Sequence, residues 1–365
     1  MATLIAAPGA ARYLADFGAD VVKVEPPGGD PARRLGWKAP DGDSYMWKVT
    51  GRNKRAAVLD LKAHHGREAM LALCDAADVL VENLRPGALE RLGMAPERLL
   101  ERNPRLVILR ITGFGQDGPY AGRPGFATLA EAMSGFAAIN GEPDGKPLLP
   151  PIALTDEIAS LAGAFSVLVA LRHRDRTGEG QVIDVNLLES MLQVLGPLPS
   201  AAAHLGYDQP RLGGGIPYTV PRNTYRCADG RWVAISTSAD TIAARVLDLL
   251  GVAGDERFAS FAERERHREE LDAVVAAWVA ARPAADVIAA FEAAQAAIAP
   301  VYSVTELLAD RHVLTRGAMV EVDGVRMPGV VARLSRSPGE VRHPGRELGV
   351  DTDEILADLP HETKG

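Results

Sequence analysis

The chain has 365 residues, of which 47% are hydrophobic and 24% charged, and its formal net charge is −8. This length exceeds the usual size of a single domain and predicts either one large domain or two unequal ones with a sizeable core. The negative charge argues against a general affinity for nucleic acid or for an anionic membrane, although a local basic cluster could still hold a small anionic ligand.

The cysteines and histidines predict neither a disulfide framework nor a metal site. Cys74 and Cys227 are the only two cysteines and lack the spacing of metal ligands, and the eight histidines form no HxxxH or HxH pair. The longest apolar run, 159–171, is too short to cross a bilayer, and no basic segment precedes the first apolar residues. These features favour a cytoplasmic protein without a bound metal.

The first third of the chain alternates short β-rich runs with helical stretches. Four runs rich in Val, Ile and Leu predict buried strands, at 20–25, 56–61, 78–83 and 105–111. Helical spacing occupies 65–77 and 95–103, the second stopped by Pro104. Strand–helix–strand alternation predicts an α/β fold with a parallel, Rossmann-like sheet. The segment before the first strand leaves almost no room for a strand of its own, so either the sheet is one strand short or the chain begins later than its relatives do.

The pattern of predicted loops, strands and helices changes twice in the remainder of the chain. A loop-rich region surrounds a short helix at 126–138, and a long apolar helix then runs to His173, followed by a strand and a further helix. Beyond the glycine-rich 211–217 stretch, a hairpin is predicted around Asp229-Gly230, and alanine-rich helices run from Ala239 to Gln295. These changes divide the chain into a large Rossmann-like domain, a linker with a glycine loop, a small α+β domain, and a return segment that completes the large domain, at 1–195, 196–215, 216–300 and 301–365 respectively.

Common nucleotide, esterase and protease motifs are absent: the sequence has no GxGxxG, Walker, GxSxG or HExxH pattern. Basic residues instead follow two of the predicted strands, Lys62 after one and Arg85 after another. Loops that follow parallel strands meet at one edge of the sheet, where ligands bind, so the two side chains could converge on phosphate oxygens. The alternative is an ordinary solvated rim of surface cations.

Two acidic residues, Asp156 and Glu157, stand where the long apolar helix begins. A carboxylate in a first helical turn is stabilised by the unpaired N–H groups there, with Thr155 as the expected N-cap. The chemical alternative is that Asp156, with no basic residue in its own segment, acts as a nucleophile toward an acyl carbon. Glu189, on an otherwise apolar helix, is read as a helix-face acid. Gly213–Gly215 fits either a backbone that approaches a ligand or an interdomain hinge.

An ordered set of motifs resembles the family III CoA-transferases, the formyl-CoA and carnitine type that also includes α-methylacyl-CoA racemase. The matching segments cover nearly the whole chain. They read APGAARYLADFGADVVKVEPP, NKRAAVLDLK, ADVLVENLRPGALERLG, GFGQDGPYAGRPGF, AMSGF, TGEGQVIDVNLLES, IAPVYSVTELLADRHVLTRG and VDTDEIL.

The resemblance implies an interlocked homodimer with CoA on the large domain and an aspartate nucleophile at Asp156. It implies CoA or acyl-CoA as a substrate, while charge, composition and the His and Cys spacing predict no metal and neither nucleic acid nor a membrane among the partners. The residues that it places around CoA are Ile5, Ala6, Ala7, Leu59, Lys62, Asn83, Leu84, Arg85 and Arg91. The mobile loop that covers the reacting thioester corresponds to Gly213, Gly214 and Gly215.

The reaction implied by the resemblance moves CoA from an acyl-CoA donor to a carboxylic acid through an aspartyl mixed anhydride and an aspartyl-CoA thioester. The chain departs from the family pattern in three places: the strand before TLIAAPG is missing, Pro26 replaces an arginine, and Ala127 replaces a frequent acid. These departures predict an intact fold with altered CoA affinity.

Two other functions remain open from the sequence. A racemase needs an acid/base pair across the α-carbon, and the 118–135 segment that would supply the histidine contains none, which favours the transferase. Rapid proton–deuterium exchange at C2 of a 2-methylacyl-CoA would reverse that choice. The other alternative is an acyl-CoA-binding protein without turnover, which hydroxylamine trapping of an aspartyl adduct would exclude.

Overall fold

The structure is a computed structural model that describes residues 1–359. The chain divides into two compact units. The first comprises Met1–Phe136, Leu149–Gly196 and the residues from 312 onward, and the second comprises Ala137–Leu148 and Pro197–Arg311. Parallel sheets and flanking helices confirm the predicted α/β class. The division of the sequence into functional domains stays a prediction.

Within residues 1–359, ten strands form four small sheets. In chain order they are β1 (Val21–Glu25), β2 (Lys54–Val58), β3 (Val79–Glu82), β4 (Val107–Thr112), β5 (Val182–Asn186), β6 (Arg222–Arg226), β7 (Trp232–Ser236), β8 (Ile298–Pro300), β9 (Met319–Val322) and β10 (Val325–Pro328). The first unit contains the parallel pair β1–β2, the parallel sheet β3–β4–β5 and the antiparallel hairpin β9–β10. The second unit contains the antiparallel sheet β6–β7–β8.

The helices connect and cover these strands. They are α1 (Ala6–Asp16), α2 (Tyr45–Thr50), α3 (His64–Ala76), α4 (Ala88–Arg91), α5 (Pro96–Arg102), α6 (Ala127–Met133), α7 (Phe136–Ile139), α8 (Leu154–Thr177), α9 (Leu187–Val194), α10 (Leu198–Leu205), α11 (Asp240–Leu249), α12 (Phe261–Arg266), α13 (Arg268–Ala280), α14 (Ala284–Ala293), α15 (Val304–Ala309), α16 (Arg311–Thr315) and α17 (Thr352–Ala357). The helices predicted at 65–77 and 95–103 correspond to α3 and α5.

The strand predicted at 56–61 lies two to three residues earlier, as β2. Lys54 begins it and is buried, its Nζ donating to the carbonyl oxygens of Pro8 at 2.6 Å and Thr50 at 2.5 Å. A charged residue at the start of a strand does not contribute to an apolar pattern, so the sequence predicted a strand that begins after Lys54. The far end of the predicted run instead turns at Asp60, whose carboxylate accepts from the Lys62 N–H.

The central strand of the first unit is β4, which is buried from Val107 to Ile111. A parallel strand covered on both faces reads as a continuous apolar run, which is why the sequence identified it. Arg110 interrupts the run, and its guanidinium is paired with Glu82 on β3 and with Glu90 on α4. Because a buried charge must be paired, these carboxylates permit an arginine in a core strand.

Helices α1 and α8 pack closely against each other in the first unit. Gly9 allows this approach, since a Cβ at that position would lie 2.3 Å from the Ser160 Oγ. The Ser160 hydroxyl lies 2.7 Å from the carbonyl oxygens of both Ala6 and Asp156. It therefore ties the start of α1 to the first turn of α8.

The helix α8 has a length of 24 residues and a mean hydropathy of 1.6 over its most apolar window. By length and composition it could span a bilayer, so the expectation from 159–171 that this segment is too short for a span was wrong. One face of α8 is buried against other elements of the first unit, including Ala159, Val167 and Ala170. Core helices of globular proteins can have the same length and hydropathy, and 39% of this apolar window is buried.

The second unit has its own core between the antiparallel sheet and helices α11, α13 and α14. The predicted hairpin around Asp229-Gly230 is confirmed as β6–β7, with Gly230 at φ +81° in the turn. Side chains of this core with at most 2% exposure include Val233, Ile235, Phe258, Leu271, Val275, Val279, Val287 and Phe291.

The hairpin β9–β10 was not predicted. Its turn is Asp323-Gly324, with φ +49° and +73°, which is the turn chemistry that favours a two-residue hairpin. The strands are only four residues each and contain one charged residue each, so their β-pattern is weak. The terminal helix expected from VDTDEIL is confirmed as α17.

The residues before α1 form no strand, as the sequence suggested. The parallel pair β1–β2 and the sheet β3–β4–β5 are separate. Thr3 nevertheless pairs with Asn83, which follows β3, through its N–H and its carbonyl, each at 2.9 Å. The Ala2 carbonyl accepts from Lys23 on β1. The Met1 amino group donates to the Val81 carbonyl of β3 at 3.0 Å, so the segment contacts a strand of each sheet.

Candidate active site

Asp156 is the third residue of α8 and lies in its first turn. The helix begins at Leu154, two residues earlier than expected, and Ala153 occupies the N-cap position without a side-chain hydrogen bond. Thr155 therefore lies inside the helix, and the prediction that it is the N-cap was wrong. Asp156 itself is partly exposed, and no side-chain hydrogen bond or ion pair holds its carboxylate among residues 1–359.

The pKa of Asp156 is raised from its ordinary value to about 6. Burial is the largest cause because it penalises the charged form, and the negative charges of Glu131 and Glu157 add to it. At neutral pH the carboxylate is still mostly ionised but is more basic than an exposed aspartate. A raised pKa without a fixed partner suits a group that must form a bond, whereas a helix-capping acid is held by backbone N–H groups.

Glu131, on α6, is the neighbour that sequence reasoning missed. Its side chain is 3% exposed, and its Oε1 accepts a hydrogen bond of 3.0 Å from the hydroxyl of the buried Thr155. Met191 on α9 contacts the same hydroxyl group, with its Sδ 3.4 Å from the Thr155 oxygen. The sequence did contain one signal for Glu131. In the segment AEAM it is the single charged residue of a short, otherwise apolar helix, so it could have been expected to face the core.

Glu157 has a different environment from its neighbour Asp156. Its Oε2 accepts from the Arg12 Nη2 at 3.0 Å and from the Tyr13 hydroxyl at 2.9 Å, both on α1. The same carboxylate raises the pKa of Tyr13, although burial is the larger cause. Of the two adjacent acids, Glu157 is therefore the structural one that joins α1 to α8, and Asp156 is left free.

The predicted CoA loop, Ile5 to Ala7, forms the start of α1. Ala6 and Ala7 are buried, at 6% and 0% exposure, so only their backbone could face a ligand. Ile5 is the N-cap residue and offers no side-chain hydrogen bond. Through Ser160 this loop is joined directly to the turn that carries Asp156.

Three further predicted residues follow β2 and β3. Leu59 is 5% exposed and belongs to the same apolar cluster as the partly buried Leu84. Asn83 uses its side-chain amide to pair with Thr3, as described above. The structure thus brings these three positions into one region of the first unit, with the Asn83 amide engaged in the fold.

The three predicted cations of the CoA site are exposed. Lys62 follows β2, while Arg85 and Arg91 follow β3. None of the three side chains has an ion-pair partner in the part of the chain that the structure describes. Cations that are free of carboxylates remain available to a phosphorylated ligand.

The glycine segment Gly213–Gly215 lies in the second unit as a tight turn. Gly213 has φ +57°, and its N–H donates to the Gly141 carbonyl at 3.0 Å. A Cβ at Gly214 would lie 2.5 Å from the Asn223 Oδ1. Glycine is therefore required here for both conformation and space.

No cluster of three His, Cys, Asp or Glu side chains suited to a metal ion occurs within residues 1–359. Cys74 and Cys227 are both free and buried, and burial raises the pKa of Cys74 to about 11. Neither thiol is therefore poised as a nucleophile at neutral pH.

Comparison with known proteins gives a consistent picture. The model of CoA-transferase family III matches residues 1–352. A succinyl-CoA–D-citramalate CoA-transferase of Chloroflexus aurantiacus is 37% identical over 98% of this chain and 92% of its own. The beta subunit of a succinyl-CoA–L-malate CoA-transferase of the same organism is 38% identical over 98% and 91%. A CAIB/BAIF family protein of Brucella suis, solved as a crystal structure, has a TM-score of 0.88 at 30% identity, over 99% of this chain and 97% of that one.

Proposed function

Since the chain belongs to CoA-transferase family III, we propose that it transfers CoA from an acyl-CoA to a carboxylic acid through covalent intermediates on Asp156. The observation that carries this proposal is the Asp156 carboxylate, which stands partly exposed in the first turn of α8 with a raised pKa and no partner of its own. A desolvated, unpaired carboxylate is a competent nucleophile toward a thioester carbonyl.

The proposed reaction has four balanced steps. An Asp156 oxygen attacks the thioester carbonyl, the C–S bond breaks, and CoA leaves as thiolate from a mixed anhydride. The thiolate attacks the aspartyl carbonyl, which releases the donor carboxylate and leaves an aspartyl thioester. The acceptor carboxylate attacks that thioester and expels the thiolate again. The thiolate finally attacks the acceptor's acyl carbon, which yields the new acyl-CoA and restores Asp156. Water must be excluded throughout, because both the anhydride and the thioester are labile.

The donor and acceptor are proposed from the relatives. The two relatives described above are named for succinyl-CoA with citramalate or malate. We therefore propose succinyl-CoA as donor and a short hydroxy-dicarboxylic acid as acceptor. A panel of CoA donors assayed against dicarboxylic and aryl carboxylic acids tests this, and transfer only to the aryl acids would contradict it.

Hydroxylamine trapping tests the covalent route. After addition of succinyl-CoA without an acceptor, hydroxylamine should convert the acylated aspartate to a hydroxamate, which mass spectrometry of the peptide containing Asp156 would detect. Succinate release and CoA transfer without any adduct, at any hydroxylamine concentration, would contradict the aspartyl intermediates.

The CoA site is proposed at the ends of β2 and β3. The backbone of Ile5, Ala6 and Ala7, the apolar Leu59 and Leu84, and the cations that follow would surround the cofactor. The support is that Lys62, Arg85 and Arg91 are exposed and unpaired within the described chain, and that Leu59 and Leu84 share one cluster. The engagement of the Asn83 side chain with Thr3 makes it a support for the loop of residues 1–5 in this proposal.

Replacement of Lys62 by alanine is expected to weaken CoA binding by about 1.5–3 kcal/mol, because a charge-assisted hydrogen bond to phosphate is lost. Titration calorimetry with CoA at fixed ionic strength measures this. Lys146→Ala, which removes another exposed lysine, is the matched control and should leave the affinity unchanged. Equal affinities of wild type and the Lys62 variant would remove this residue from the site.

A homodimer is proposed from the outer face of α8. In the single chain this face exposes Leu161, Phe165, Leu168 and Val169 by 45–69%, at helical spacing. An exposed apolar stripe of this kind marks an interaction surface, and a second copy of the chain is the occupant that we propose. The arrangement expected from the resemblance is the interlocked one.

Light scattering during gel filtration should give a particle of two chains for the wild type. Phe165→Glu places a charge on the stripe and is expected to weaken association at least about tenfold, because the charge would be desolvated at the interface. Lys146→Glu, a charge change at an exposed residue outside α8, is the control. A monomeric wild type at all concentrations would contradict the proposal.

The compartment proposed is the cytoplasm. Both cysteines are free and buried, and an acyl-CoA donor and a free carboxylic acid are intracellular kinds of substrate.

A further inference from the structure

Two acidic side chains act on the Asp156 carboxylate, and they differ in one respect. The charge of Glu157 is compensated, since Arg12 lies 3.0 Å from it and is itself 5% exposed. Glu131 has no cationic partner in the described part of the chain, and its one side-chain hydrogen bond comes from the neutral Thr155 hydroxyl. A carboxylate that is 3% exposed and lacks a counter-charge is costly for stability, so it calls for a functional reason.

Resting on the proposed function, we propose that Glu131 is a positioning residue of CoA transfer: its carboxylate holds the Thr155 hydroxyl and so fixes the first turn of α8, and its uncompensated charge favours the covalent states of Asp156. Glu131 is distinct from the nucleophile and contacts neither the acyl-CoA nor the acceptor acid. It acts through Thr155 and through its field.

The geometry supports both parts of this role. Thr155 precedes Asp156 directly, is fully buried, and touches Glu131 on α6 and Met191 on α9. One turn further along α8, Ser160 binds both the Asp156 carbonyl and the Ala6 carbonyl of α1. The backbone that carries the Asp156 carboxylate is therefore held by α6, by α9 and, through Ser160, by α1, while the carboxylate itself remains free.

Other titratable groups near this end of α8 are already engaged with one another. They lie on the elements that pack against α8, and each has its own partner: Arg12 and Tyr13 on α1 with Glu157, Asp16 on α1 with Arg52, Arg110 on β4 with Glu82 and Glu90, and Asp184 on β5 with the Gln116 N–H. Glu189 on α9 is exposed and acts on Asp184. After burial, Glu131 is the largest influence on the pKa of Asp156.

The charge has a direct consequence for the reaction. When the Asp156 oxygen bonds to the acyl carbon and the C–S bond breaks, the negative charge moves from the aspartate to the thiolate sulfur. Repulsion by Glu131 is present in the free carboxylate and absent in the neutral anhydride or thioester. The charge of Glu131 therefore destabilises the free carboxylate relative to the covalent states, and it keeps the nucleophile more basic.

The test is the pH dependence of kcat/KM for Glu131→Gln, which keeps an acceptor for Thr155 and removes the charge. Activity requires ionised Asp156, so the wild-type rate should fall as pH decreases through about 6. Without the charge the pKa of Asp156 falls, and the acid limb should move downward by about one pH unit. At pH 5 the variant should then retain a several-fold larger share of its own plateau rate than the wild type does.

Two variants separate the charge from packing. Glu131→Asp keeps the charge, so its acid limb should stay with the wild type even if its kcat falls. Glu189→Gln makes the same chemical change on α9 and should leave the limb in place. Should Glu131→Gln be recovered in too small an amount, Glu131→Met removes the charge at similar volume and should show the same downward shift.

The proposal is supported if the acid limb of the pH profile moves to lower pH in the uncharged variants and stays in place in Glu131→Asp. It is overturned if Glu131→Gln or Glu131→Met, folded by circular dichroism, keeps the wild-type limb. Hydroxylamine trapping distinguishes this from failure of the proposed function: a hydroxamate at Asp156 together with an unmoved limb overturns the role of Glu131 alone, whereas no hydroxamate overturns the covalent route itself.

Discussion

Asp156→Asn is expected to lower the rate of CoA transfer at least about 10³-fold while leaving CoA affinity within about twofold of wild type. The amide has the shape of the carboxylate but cannot attack a thioester, so neither the anhydride nor the aspartyl thioester forms. The residues proposed to hold CoA follow β2 and β3 and are unchanged, so the affinity should persist. Asp156→Ala should give the same result and cannot revert to aspartate by deamidation.

Transfer is measured as new acyl-CoA by chromatography, and binding as heat of CoA titration. Asp175→Asn, the same substitution at the exposed far end of α8, is the control and should transfer at the wild-type rate. Hydroxylamine should label the wild type and the control but not the Asp156 variants. Substantial transfer by Asp156→Ala would show that the nucleophile lies elsewhere, and lost CoA affinity in Asp156→Asn would place this carboxylate in the binding site instead.

The fold could be predicted where apolar periodicity is strong. The runs around β1, β3 and β4 are rich in Val, Ile and Leu, and the structure confirms all three as parallel strands. Burial is most complete in β4, as expected for a strand covered on both faces. The start of β2 was misplaced because Lys54 is a charged residue inside the core, satisfied by the carbonyl oxygens of Pro8 and Thr50. Those partners lie on α1 and α2, so the residue pattern of the strand itself does not reveal them.

The active site could be predicted only in part. Asp156 was found because it is an acid at the mouth of the long apolar helix and because the motifs matched in order. Thr155 was assigned to the N-cap by local preference, whereas its hydroxyl is bound by Glu131, 24 residues earlier in the chain. A contact of this kind arises from packing of α6 against α8, and a single sequence contains no signal for which acid a buried hydroxyl will meet.

Asp16→Ala is expected to lower the free energy of unfolding of the first unit by about 3–5 kcal/mol, because it leaves a buried guanidinium without its counter-charge. Asp16 at the end of α1 is 2% exposed and binds Arg52, 1% exposed, through contacts of 3.0 and 2.6 Å. It also accepts from the Asn53 amide at 2.9 Å. These are among the most buried charges of the chain.

The expected effect is large because the same group of residues holds distant segments together. The Arg52 guanidinium also donates to the carbonyl oxygens of Pro328 and Gly329, and Asn53 bonds to the backbone at Glu340 and Arg342. Loss of Asp16 would therefore release the returning C-terminal segment from α1. Since α1 is tied by Ser160 to the turn carrying Asp156, we also expect reduced transfer at temperatures near the transition.

The measurement is urea-induced unfolding followed by circular dichroism, with transfer assayed in parallel at low temperature. Asp20→Ala is the matched control, since Asp20 also pairs with an arginine, Arg55, at 2.6 Å but is 69% exposed at the side chain. An exposed pair contributes at most about 1 kcal/mol because water and salt screen it, so the control should unfold close to wild type. Equal destabilisation by the two variants would mean that burial does not set the worth of the Asp16 ion pair, and the role assigned to it in holding the C-terminal segment would fall.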